Sequence, residues 1–326
     1  MSANDHGLRE VTNEEFARFH SDSTKEKYAR LILAPVPFPR AFFFVEEEGA
    51  PLARVMVSQS LENGASGGIG CLEGTHDRFP QLLRHCEQWL KTRGARRAIG
   101  PIVYSTWFPY RARLDNENPS FLWEPRFHEG EESAWTSAFY KTIETYASRG
   151  LSGLPDFATR QKKGFEKAVG EGFTFHGFKA ELATEAGRKK LIDDLFDLTM
   201  ESFSEAYLFQ PISREQFHVL YVAGLADVQD LSCSFIMRDA DGSAAAFSFA
   251  FIDQDYLVFK TLAVSKKLRG RGLSNAVLSM SCQAAESRGL DKMIHALMRR
   301  GNVSENFGEK SVLLWEHRYG LFAKDL

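Results

Sequence analysis

Apolar residues recur at three- and four-residue steps in two long stretches of this chain. In 79–92 they are Phe79, Leu82, Leu83, Cys86 and Leu90; in 273–288 they are Leu273, Val277, Met280 and Ala284. That spacing gathers them on one face of a helix. Each helix ends at a glycine, Gly94 and Gly289, of the kind that closes helices. Short continuous apolar runs flank both helices and predict buried strands. Ahead of the first lie 41–46 and 52–58, joined by the turn Glu48-Gly49-Ala50-Pro51; ahead of the second lie 233–238 and 244–252, joined by Asp239-Ala240-Asp241-Gly242, and then 256–264. Strands are also predicted after each helix, at 97–103 and 292–298. Elsewhere the pattern is weaker. Residues up to Glu10 are expected to be loose, Asn13 to cap a short helix, 31–39 to form a proline-rich loop and the glycine-rich Asn63–Gly70 a loop.

The order hairpin, helix, strand therefore occurs twice. Gly49 and Gly242 differ by 193 positions and Gly94 and Gly289 by 195. A near-constant offset predicts two copies of one domain plan, and 326 residues suit two domains. The boundary is expected at 177/178. The fold class is α/β (α+β), each domain a mixed, mostly antiparallel sheet flanked by helices.

Composition narrows the function. Net charge is −3, which argues against general nucleic-acid binding. The four cysteines and nine histidines lack metal-ligand spacing, so reduced thiols and no metal are expected. No apolar run reaches ~18 residues and the N-terminus has no signal-peptide pattern, so a cytoplasmic protein without membrane contact is expected. Gly64-Ala65-Ser66-Gly67-Gly68 matches the serine-hydrolase elbow, but its flanks are not strand and helix in that order.

The chemistry concentrates in 261–274. The predicted strand ends in Leu262-Ala263-Val264 and runs into the basic turn Lys266-Lys267-Leu268-Arg269-Gly270-Arg271-Gly272, which opens the second helix at Leu273 and Ser274. Glycines before a helix N-terminus let backbone N–H groups meet phosphate oxygens, and the cations supply opposite charge. The first copy has Glu73-Gly74-Thr75-His76-Asp77 at the same place, which would repel a pyrophosphate. Only the C-terminal copy is expected to bind a donor.

These residues resemble the GNAT (Gcn5-related N-acetyltransferase) superfamily. Its donor signature, Arg/Gln-x-x-Gly-x-Gly/Ala, reads here Arg269-Gly270-Arg271-Gly272-Leu273-Ser274, with serine in the last place. The resemblance covers the chain from about Asp194 onward, and the first copy resembles the degenerate partner of tandem members. It implies an N-acetyltransferase that moves an acetyl group from acetyl-CoA to a primary amine of a small molecule or peptide, by direct attack in a ternary complex. In this reading Leu262–Val264 bond the pantetheine, and Asn302 and Ser304 follow the fifth strand at the donor site. Many members place a tyrosine soon after that asparagine to protonate the departing thiolate; here Phe307 occupies the region. Tyr319, Ser304 or solvent would protonate the leaving group instead, and Lys260 and His295 are candidates for base or acceptor contact. Phe203, Tyr207 and Phe209 are the acceptor-site candidates. The rivals are a non-catalytic acyl-CoA-binding protein and an aminoacyl-tRNA-dependent transferase on similar architecture. A monomer or homodimer is expected.

Overall fold

Strands rich in phenylalanine and valine build the sheets, and the two periodic helices cover them. The computed structural model describes residues 7–18, 36–228 and 230–326. The chain forms two compact units. Unit 1 takes the chain up to Thr145 together with Leu208–Gln210 and Arg318–Leu326; unit 2 takes Tyr146–Tyr207 and Pro211–His317.

Unit 1 contains β1 (Leu8–Glu10), α1 (Asn13–Arg18), β2 (Arg40–Glu47), β3 (Ala50–Leu61), β4 (Ser66–Gly74), α2 (Phe79–Lys91), β5 (Arg97–Gly100), β6 (Ala112–Arg113) and α3 (Glu131–Ser137). Its strands follow the order β1-β2-β3-β4-β5, with β4 and β5 parallel. The C-terminal residues Phe322–Asp325 pair with Gly100–Arg97. α2 buries Phe79, Leu82, Leu83, Cys86 and Leu90, the face its periodicity marks.

Three readings of unit 1 change. Leu8–Glu10 is not loose but pairs with Phe43–Val45. The cap of α1 is Thr12, not Asn13: Thr12 Oγ1 accepts from the Glu15 N–H at 3.2 Å while the Glu15 carboxylate accepts from the Thr12 N–H at 2.8 Å, a capping box. The glycine-rich Asn63–Gly70 is largely strand, because β4 needs its glycines for close packing rather than for flexibility. A Cβ on Gly67 would lie 2.0 Å from Leu90, and one on Gly70 would lie 2.7 Å from the Ile102 carbonyl oxygen. In the expected 31–39 loop, Val36–Pro39 is irregular and 31–35 lies outside the described residues.

Unit 2 begins within β7 (Lys141–Ser152). It continues through α4 (Leu154–Gly170), β8 (Thr174–Gly177), α5 (Phe178–Glu181), α6 (Glu185–Phe203), α7 (Arg214–Asp227), β9 (Phe235–Arg238), β10 (Ala244–Asp253), β11 (Tyr256–Val264), α8 (Leu273–Glu286) and β12 (Lys292–Arg299). The first part of β13 (Val312–Asp325) also belongs to it. The strand order is β7-β12-β11-β10-β9-β8, antiparallel except for β11–β12. The units part at Thr145/Tyr146 rather than at 177/178. The reason is α4, whose Phe157 and Ala158 share a core with Leu278, Cys282 and Ala285 of α8.

Candidate functional site

In unit 2, β11 is paired with β10 along its whole length, from Tyr256↔Asp253 to Val264↔Ala246. One extra residue interrupts the register: Phe259 opposes Ala250 and Thr261 opposes Phe249, so Lys260 is the bulge. On its other side β11 pairs with β12 only from Tyr256↔Lys292 to Phe259↔His295. Beyond that point β12 is itself irregular: Leu297 has a left-handed φ of 55° and donates its N–H to Ser148 Oγ at 2.8 Å. The two parallel strands thus diverge, and Lys260–Val264 runs on outside the β11–β12 ladder. A strand edge of this kind can hydrogen-bond an extended, amide-bearing ligand.

The turn after β11 opens α8. Gly270 and Gly272 have φ of +79° and +80°, a conformation that favours glycine. A Cβ on either would meet nothing within 4 Å, so both face open space. Gly272 is the N-cap residue, and the first-turn amides of α8 follow it. Leu273 anchors the turn in a core with Met237, Ala245 and Val277, while Ser274 is half-buried. The cations are held at the periphery. Arg269 donates to the Ser202 carbonyl at 2.9 Å, Arg271 to Glu171 at 2.6 Å, and Lys266 to Ser204 and Glu205 at 2.8 and 2.7 Å. Such exposed ion pairs contribute little, so they leave the cations available to an anion. Ser202 Oγ donates to the Val264 carbonyl at 3.0 Å, tying α6 to the end of β11.

No family model matches the sequence, and none of the curated proteins matches it. Solved structures do match the fold over nearly the whole chain. A GCN5-related N-acetyltransferase from Sphaerobacter thermophilus superposes with a TM-score of 0.52 at 12% identity, covering 98% of this chain and 95% of its own. A tandem GNAT protein from the clavulanic acid biosynthesis pathway gives 0.54 at 10%, covering 98% of each chain. The chain has the tandem GNAT fold. A third match, at 0.54 and 11%, is the GCN5-related glucosamine N-acetyltransferase region of a fungal multi-domain GH3 β-N-acetylglucosaminidase; it covers 97% of this chain and 38% of that one.

Within this GNAT fold the site residues read from the sequence separate into groups. Leu262, Ala263, Val264, Arg269, Gly270, Arg271, Gly272, Leu273 and Ser274 are continuous along β11, the turn and α8. Lys260 is half-buried at the bulge. His295 stands at the last rung of the β11–β12 ladder, its ring 5.4 Å from both Phe157 and Phe259. Burial pushes its pKa down to about 4, against a hydrogen bond to the Phe307 backbone, so the ring is neutral at pH 7. Asn302 and Ser304 lie in the turn after β12, where their carbonyls accept from the Glu305 and Phe307 N–H groups at 3.0 and 3.2 Å. Phe307 packs on the α4–α8 core.

Tyr319 does not fit the role of proton donor. It belongs to unit 1, is fully buried, and its hydroxyl donates to Glu124, which also pairs with Arg113 at 3.2 Å. The acceptor candidates divide as well. Phe203 and Tyr207 belong to unit 2 and Phe209 to unit 1, where its ring lies 5.6 Å from Trp107. Sequence reasoning missed the charge network at the turn after β12. Arg149 donates to Glu316 at 2.8 Å, Arg300 donates to Glu305 at 2.9 Å and also to Glu316, and the Gly301 N–H donates to Glu305 at 2.6 Å. Its members come from three segments, and no local spacing announces it.

The matching place in unit 1 is built differently. The β4–β5 ladder ends at Gly68↔Ile99, but the chain stays beside β4: the Ile102 N–H donates to the Ile69 carbonyl at 2.8 Å. Trp135 closes over Gly100, where a Cβ would lie 2.3 Å from the indole. In the turn before α2, Gly130 lies against His76, and a Cβ on it would stand 2.8 Å from the His76 Cβ. Unit 2 also has a cavity of about 450 Å³ lined by Lys190, Asp194, Asp197, Leu198, Glu201 and Asp241 among others; its carboxylates oppose phosphate binding. Among the described residues no His/Cys/Asp/Glu group could hold a metal, and no helix is long and apolar enough to cross a membrane.

Proposed function

We propose that this protein is an acyltransferase whose unit 2 binds acetyl-CoA, or a related acyl-CoA, and delivers the acyl group to a primary amine by direct attack in a ternary complex. The observation that carries this reading is the continuity of one feature. β11 leaves its ladder with β12 at Phe259↔His295 and runs straight into a turn whose two left-handed glycines face open space at the start of α8. The diverging edge suits an amide-bearing arm, and the helix N-terminus suits its pyrophosphate. The N-acetyltransferases that share the fold support the reaction class. Transfer then needs a neutral amine beside the thioester and polarisation of its carbonyl. A β11 backbone N–H near the Lys260 bulge would supply the polarisation, and Lys260 would orient the acceptor or take its proton.

A second reading, acyl-CoA binding without turnover, is favoured by two of the positions that would hold a proton donor: Phe307, which has no proton to give, packs against the α4–α8 core, and Tyr319 is buried on Glu124. Calorimetry with acetyl-CoA, followed by free-thiol release across a panel of amines, tests both. Binding with thiol release supports the acyltransferase, binding without release on any amine supports the second reading, and no binding overturns both.

A further inference from the structure

Unit 2 buries two polar side-chain atoms without a hydrogen-bond partner beside the strand divergence: Gln161 Oε1 and His295 Nε2. The two residues are 7% and 5% exposed. Both atoms are acceptors. The neutral imidazole bonds the Phe307 backbone, and a Cβ on Gly308 would lie 3.6 Å from Nδ1; with the proton on Nδ1, Nε2 carries a free lone pair. Phe157, Gln161, Gly164 and Ala168 follow one another at steps of four, three and four, and so share a face of α4. Phe157 touches His295 and Phe259, where the ladder ends. Gly164 abuts the start of α8, since a Cβ there would lie 3.3 Å from the Gly272 carbonyl oxygen and 2.8 Å from Asn275. Gln161 therefore lies between the glycine turn and the point where the strands part, which is the span a donor's arm must cross.

We propose that Gln161 Oε1 and His295 Nε2 receive the two amide N–H groups of the donor's pantetheine arm, making Gln161 a donor-binding residue. This rests on the acyl-CoA reading above. A pantetheine carries two secondary amides, each with one donor, and among the described residues beside the divergence Gln161 and His295 each hold one acceptor without a donor. Leaving a buried acceptor unsatisfied destabilises a fold, whereas an apolar residue of the same shape does not.

Calorimetry on the full chain with two probes tests this: coenzyme A, and adenosine 3′,5′-bisphosphate, which has no pantetheine. Gln161→Met is expected to weaken coenzyme A about tenfold, to leave adenosine 3′,5′-bisphosphate binding unchanged, and to keep or raise the Tm of the unliganded protein. His295→Leu should likewise weaken coenzyme A selectively. Wild-type affinity for coenzyme A in Gln161→Met, equal weakening of both probes, or a lowered Tm would overturn the assignment while the acyl-CoA reading stands. If wild-type protein binds neither probe, the acyl-CoA reading itself fails and this inference falls with it.

Discussion

The turn before α8 and the turn before α2 occupy the same place in two copies of one plan, yet a Cβ would meet open space at both glycines of the first, while in the second one on Gly74 would lie 2.2 Å from the Leu52 carbonyl oxygen. In unit 2, Gly270 and Gly272 face empty space and β11 runs past the end of its ladder with β12. In unit 1, the residues after β5 stay beside β4, Ile102 takes the Ile69 carbonyl, Trp135 covers Gly100, and Gly130 lies against His76. Glycine therefore means opposite things in the two copies. At the α8 turn it supplies a left-handed backbone with room above it. In β4 it removes side chains so that neighbours can close in. The copies share strands and helices but not the space between them, and that space is where a ligand would go.

The sharpest way to break this comparison is Gly272→Glu. A carboxylate at the helix N-terminus would occupy the anion position and repel phosphate, so acetyl-CoA affinity should fall by roughly a hundredfold or more. Because φ is +80° there, Gly272→Asn serves as control: it tolerates the left-handed region and should keep most of the affinity. His76→Ala, in the turn before α2 of unit 1, should leave coenzyme A binding unchanged by calorimetry. A loss of affinity in His76→Ala would place the donor in the wrong copy.

Gly67→Val addresses the filled copy directly. Its Cβ would fall 2.0 Å from Leu90 of α2, so the helix must shift or the core must strain. A cost of about 1–3 kcal/mol is expected, read as a lower midpoint in urea at unchanged m-value. Gly270→Asn, in the open copy, should cost less than ~1 kcal/mol. Equal costs would mean that the β4 glycines are not there for packing.

How much of this was legible in the sequence follows from what is local. The two helices, their terminal glycines and the hairpins were readable because periodicity and turn chemistry act over a few residues. So was the α8 turn, a continuous run from Leu262 to Ser274. The strand β4 was not, because Gly67 and Gly70 read as loop until Leu90 and Ile102 are brought against them. Tyr319 was misjudged for a related reason. Its partner Glu124 lies 195 residues earlier, and nothing in a linear reading brings the two together. Gln161 and the Arg149–Glu316 and Arg300–Glu305 pairs were missed because each draws its meaning from a neighbour on another element.

Tyr319→Phe tests whether that tyrosine serves structure alone. It removes one donor to a buried carboxylate that still has Arg113 at 3.2 Å, so a cost of about 1–3 kcal/mol is expected. Acyl transfer per folded molecule should not change. A fall in kcat with unchanged stability would return Tyr319 to the chemistry.

A further contrast separates the two copies by charge. In unit 1, burial raises the Glu131 carboxyl to about 8, and the charge of Glu73 adds to the rise. Between the usual carboxylate range and pH 8 the folded state thus keeps a proton that the unfolded state has lost, so this group makes stability fall as pH rises. In unit 2 the tilt is opposite. Glu305 is held low, first by the Gly301 N–H and then by Arg300, while for Glu316 the bonds from Arg149 and Arg300 outweigh burial. Both favour the folded state above the unfolded carboxylate pKa, and that contribution is lost as pH falls through their depressed values. Glu131→Gln should therefore match wild type in Tm near pH 5 and exceed it by a growing margin toward pH 8.5. Glu305→Gln should do the reverse, with a Tm below wild type at pH 7 and a shrinking deficit toward pH 3. A Glu131→Gln advantage that is constant with pH would mean the side chain acts through packing and not through its proton.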